Sequence, residues 1–212
     1  MSMRIRAGRL LLAAAILAGI APGRASGELV DRILAIVGGR LVTLSDAHVA
    51  LALGLADAAA ADPVAAAMNR LIERHLVLAE VDRYGLPDPP EPSVTSRVDA
   101  LRAALARRVP GEPLAALALG NQRLHEIARD DVRIDVYLAQ RFGTVPPTAA
   151  GVAAYYRAHP ELFSRGGVPL PLVEVEPDAR RRLAAEQRQK LIDDWIASLR
   201  RRADINVLYL AR

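Results

Sequence analysis

Cysteine is absent from this chain of 212 residues, and one lysine stands against 27 arginines, with only four histidines and eight aromatic residues. Without cysteine there is no disulfide framework and no thiol chemistry, so the fold must rest on its own apolar core. None of the histidines (His48, His75, His125, His159) stands in an H-E-x-x-H or comparable ligand array, which leaves no zinc signature. His75 lies on an apolar helix face and reads as a core or boundary residue, and His159-Pro160 reads as a helix terminus. No phosphate-binding glycine loop and no G-x-S-x-G nucleophile elbow occurs. Catalytic, cofactor-binding and metal-binding residues are therefore all expected to be none.

The first 27 residues read as an export signal. Arg4, Arg6 and Arg9 form a basic start, Leu10 to Ile20 is an apolar stretch, and Ala25-Ser26-Gly27 supplies small residues for cleavage. The apolar stretch is too short for the roughly 20 residues of a spanning helix, so the expectation is export with no stable membrane insertion. Four of the 28 basic residues (Arg4, Arg6, Arg9, Arg24) fall in this segment, whereas all 24 acidic residues come after it. The remainder is formally neutral, which removes the net-charge case for a nucleic-acid partner.

The stretch Val30 to Asp46, VDRILAIVGGRLVTLSD, organises the rest of the chain. Two apolar runs flank Gly38-Gly39, and paired glycines permit the positive φ angles of a tight hairpin turn. Ser45 is expected to cap a helix starting at Asp46 and running to about Ala61. A hairpin alone is marginal in water, and the other good strand candidate is Ile205 to Leu210. The two ends should therefore meet in one small antiparallel sheet, with a mainly α, multi-helix body between them.

Asp62-Pro63 opens a second helix that Gly85 and Pro87 close. Pro87 to Pro92 reads as a stiff extended linker. Val94, Val98, Leu101 and Leu105 mark a third helix, Pro113 to Gly120 a short one, and Asn121 to Phe142 a longer one. Asp130, Asp131 and Asp135 on that helix read as i, i+4 partners of its arginines, with Asp131 and Asp135 an unfavourable like-charge pair. Thr148 should cap a helix ending near Pro160. Ser164 to Pro177 reads as a connector with a short strand at Leu172 to Val175, and Asp178 to Ala203 as the final helix. Arg180 to Arg182 and Arg200 to Arg202 read as solvated helix faces.

The hairpin VDRILAIV-GG-RLVTLSD, the helix NRLIERHLVLAEVDRYGL, the segment YYRAHPELF and the late W-x₃-LRRRADI exit to a strand occur in an order that resembles the SurA-type periplasmic chaperones. The resemblance covers about Val30 to Leu210. It implies a chaperone module made of residues 28–163 and completed by residues 178–212. Relatives usually carry a parvulin-type prolyl isomerase domain where this chain has Ser164 to Pro177, and fourteen residues cannot build an independent core. The implied function is a holdase for unfolded outer-membrane or secreted polypeptides, without isomerase activity. The alternative is a dedicated scaffold for one envelope protein. Candidate client-binding residues are Met68, Leu71 and Leu78, with Tyr155, Tyr156 and Phe163, although this aromatic group also reads as a core anchor. Binding driven by apolar burial should be little affected by salt.

Overall fold

The structure, a computed structural model, describes residues 31–110, 119–143 and 145–210. The expected export signal and most of the short helix at Pro113 to Gly120 lie outside them.

Strands β1 (Ile33–Val37) and β2 (Arg40–Thr43) form the expected hairpin, with Val37 opposite Arg40 and Ile36 opposite Leu41. Gly38 and Gly39 have φ of 53° and 82°, the pair of left-handed residues a type I′ turn requires. Near the end of the chain a short strand, Ile205–Val207, pairs antiparallel with the other edge of β1, placing Ile205 opposite Val37 and Val207 opposite Ala35. The sheet thus has β1 at its centre. This terminal strand is shorter than the sequence suggests, but Leu208 and Tyr209 still donate their backbone N–H groups to the Leu34 carbonyl, at 2.8 and 3.0 Å.

Helix α1 (Leu44–Leu53) continues from β2 without a break. Its cap is Thr43 and not Ser45: the Thr43 hydroxyl accepts from the Asp46 N–H, and the Asp46 carboxylate accepts from the Thr43 N–H at 2.9 Å. That reciprocal pair satisfies two orphan donors at once. Ser45 is instead hydrogen-bonded to Asp31. The helix stops at Gly54, φ 73°, well short of Ala61. The alanines beyond favour helix by propensity, yet a glycine in the left-handed region turns the chain first.

Helix α2 (Pro63–Tyr84) has the start and stop its sequence signals: the Asp62 side chain accepts from the Ala65 N–H at 2.8 Å, and Gly85 closes it at φ 70°. Helix α3 (Glu91–Arg108) begins inside the expected Pro-rich linker, because Pro92 is tolerated in a first turn. Helix α4 (Asn121–Arg141) packs along α3, burying Val94, Val98, Leu101 and Leu105 against Leu124 and Ala128. The sheet packs on α1 and α2 through Leu34, Val42, Ala47, Met68 and Ile72.

Helix α5 (Ala149–Ala158) is capped by Thr148, whose hydroxyl accepts from the Gly151 N–H at 3.1 Å. A 3₁₀ turn over Pro160–Phe163 leads to a second hairpin, β3 (Ser164–Arg165) and β4 (Val168–Pro169), turned by Gly166 and Gly167 at φ 60° and 81°. Leu172 to Val175 is not a strand but the first turn of α6 (Leu172–Arg202), which carries Pro177 inside it. The helix starts early because Leu172 and Val175 pack with Leu183 onto the small core of Val152, Phe163 and Ala179. With α6 introduced, the terminal strand Ile205–Val207 is β5. The fold is mainly helical with one small three-stranded antiparallel sheet joining the two ends.

Candidate functional site

Three helices distant in sequence enclose an open cleft of about 450 Å³. Helix α2 contributes Leu71 and Val77, α4 contributes Ile134 and Leu138, and α6 contributes Ile192 and Ile196. The helical period explains the pairs on α4 and α6: i and i+4 lie on one face, so each pair presents a two-residue apolar step to the same side. The lining is also charged, with Arg70, Arg74, Arg97 and Arg188 facing Glu73, Asp131 and Asp135.

Most of these charges are already matched. Asp131 is only 7 % exposed and is the one buried charged residue among those described. It ion-pairs with Arg74, and Arg97 reaches it from α3 at 3.3 Å. Arg97 also holds Asp135, so one guanidinium spans the two carboxylates that sequence alone presents as a repulsive pair. Arg74 further donates to the Ile127 carbonyl at 3.0 Å. Asp130, facing Arg74 and Arg133 at 3.8 Å each, is shifted above the ordinary carboxylate range by burial, which outweighs both guanidinium groups. Arg70 pairs with Glu73 at 3.5 Å.

Aromatic rings border the same region. Tyr137 meets Tyr84 edge-on at 5.6 Å between centroids and Trp195 at 5.8 Å, while Phe142 lies 5.4 Å from Trp195. The Arg141 guanidinium sits over the Trp195 ring at 5.2 Å, a cation–π distance.

The six sequence-selected residues do not form one surface. Leu71 lines the cleft. Met68 and Leu78 are buried, Met68 within the core beneath the sheet, so neither presents a free face. Phe163 is buried, and Tyr155 and Tyr156 pack around it at 6.2 and 5.6 Å in the separate core at the start of α6. The Tyr156 hydroxyl donates to the Leu170 carbonyl at 2.7 Å, fixing the ring against the second hairpin. The cleft residues Ile134, Leu138, Ile192 and Ile196 carry a readable signal, two apolar pairs at i, i+4. Nothing in sequence indicates that α4 and α6 turn those pairs toward each other.

No cluster of histidine, aspartate or glutamate among the described residues is arranged to hold a metal ion. No helix among them is long and apolar enough to cross a membrane. Compared with known proteins, the chain matches no family model, and no curated protein matches it.

Proposed function

We propose that the chain is a holdase of the SurA type, exported to the periplasm, which shields extended segments of unfolded outer-membrane or secreted polypeptides without isomerising their prolines. The observation that carries this reading is the open cleft between α2, α4 and α6, where Leu71, Ile134, Leu138 and Ile196 are partly exposed to a guest while Val77 and Ile192 lie buried at its floor. An extended segment laid there would bury nonpolar area worth about 25 cal/mol per Å², without needing one fixed sequence. The clasp of β1 between β2 and β5 supports the reading too, since the resemblance implies a chaperone module completed by the end of the chain. Ser164 to Pro177, the place of the missing isomerase, is taken up by the short β3–β4 hairpin and the opening of α6.

The test is dilution of a denatured outer-membrane β-barrel protein with and without residues 28–212, monitored by light scattering. Suppression of aggregation near one-to-one stoichiometry is the expected result, with loss of suppression in Leu138→Asp once circular dichroism shows that variant folded. No suppression by the folded wild type would overturn the holdase and favour a scaffold for one envelope protein. A catalysed cis/trans exchange in a proline peptide would contradict the absence of isomerase activity.

A further inference from the structure

We infer that Arg188 is the polar anchor of the cleft, and that the preferred guest is an extended peptide carrying a carboxylate beside its apolar residues. This rests on the reading of the cleft as a polypeptide site. Of the four arginines lining the cleft, Arg70, Arg74 and Arg97 each have a carboxylate partner. Arg188 has none among the described residues; its hydrogen bond there runs from Nε to the Phe142 carbonyl at 2.9 Å. That bond fixes the stem of the guanidinium while leaving both Nη groups without an acceptor among the described residues. A guanidinium held through Nε presents its outer edge as a two-donor fork, the geometry a carboxylate accepts.

The apolar side of the match comes from position. Arg188 precedes Ile192 by four residues and Ile196 by eight, so it stands at one end of the apolar row that α6 gives the cleft. A guest with its carboxylate on Arg188 would run its neighbouring side chains over the buried Ile192 to Ile196, opposite Ile134 and Leu138. The carboxylates of the lining would oppose such a guest only weakly. Asp131 and Asp135 are neutralised by Arg74 and Arg97, and Glu73 by Arg70.

The experiment uses residues 28–212 and two labelled decapeptides, identical and apolar except for one central aspartate in the first and asparagine in the second. Fluorescence polarisation is measured at low and at high salt, for the wild type, Arg188→Gln and Arg188→Lys. The wild type should favour the aspartate peptide about threefold at low salt, the scale of one solvent-accessible ion pair. That preference should vanish at high salt and in Arg188→Gln, whose amide can still reach Phe142, and persist in part in Arg188→Lys. Equal binding of both peptides by the wild type would overturn the anchor while leaving the cleft a peptide site. A preference that survives in Arg188→Gln would also overturn it. If neither peptide binds the folded wild type, the polypeptide-binding reading of the cleft falls, and the anchor with it.

Discussion

Asp131 of α4 is ion-paired with Arg74 of α2, and the pair is almost shielded from water, with 9 % and 16 % of the two side chains exposed. A buried pair of this kind contributes little net stability compared with an apolar packing, but it is costly to break from one side. Asp131→Ala leaves Arg74 and Arg97 both short of a partner. Its expected cost is about 3 kcal/mol, read from the urea midpoint. A loss below about 1 kcal/mol, the range of a surface pair, would mean that water reaches both arginines freely.

The start of α1 separates two candidate caps. Thr43→Ala removes the hydroxyl that accepts from Asp46 and should cost about 1 kcal/mol. Ser45→Ala removes a surface bond to Asp31 and a hydroxyl contact to Thr43 at 3.1 Å but no bond to a helix N–H, and should cost less. Thermal midpoints of the two variants decide the order, and the reverse order would restore Ser45 as the cap.

Phe163 is the centre of the small core at the start of α6, packed by Val152 and Ala179 and by the rings of Tyr155 and Tyr156. Phe163→Ala should destabilise this part by about 3 kcal/mol. The loss should be local: amide exchange should accelerate across α5 and β3–β4 while β1 keeps its protection. Uniform acceleration through β1 would show that the two cores unfold as one.

His75 is held below the ordinary imidazole value, first by burial and then by the Arg40 charge, with Arg74 adding to the effect and Asp46 opposing it. Its Nδ1 is buried without a hydrogen-bond partner among the described residues. Because the folded state binds the proton less readily than the unfolded chain, the stabilising contribution is complete above the unfolded value of 6.5 and declines as pH falls through the lower folded value. Asp130 acts in the opposite sense: its raised folded value favours the folded state below the unfolded value of 3.8, and that contribution is lost as pH rises through the folded value. Urea titrations at pH 5.5 and 7.5 should therefore show lower stability at the acid end, with a smaller difference in His75→Gln. An unchanged difference in that variant would assign the effect to other groups.

Local chemistry was legible wherever a short stretch contains its own stop and start. Gly38-Gly39 gave the hairpin, and Asp62-Pro63 with Gly85 gave α2 from end to end. The same reasoning applies to Gly166-Gly167, which turns a second hairpin; flanking prolines and strands of two residues each concealed it. The end of α1 was missed because alanine propensity after Gly54 outweighed one left-handed glycine in a local view. The cleft is a different matter. Leu71, Ile134 and Arg188 belong to helices separated by long stretches of chain, and periodicity says which face of each helix is apolar without saying what it faces. For the same reason Asp131 looked like a surface partner of its own helix, while its cations come from α2 and α3.

The central position of β1 ties completion of the fold to the order in which the chain emerges. One edge of β1 is covered by β2 within a few residues, but the other waits for Ile205–Val207, beyond α1 to α6 in the sequence. A chain made N-terminus first therefore presents an open strand edge until its last part has been synthesised. During that interval the edge is available for mispairing, the hazard that unpaired strands carry in any sheet. A product truncated before Ile205 would keep this exposure permanently, and a protease that samples open edges could tell it from the finished molecule.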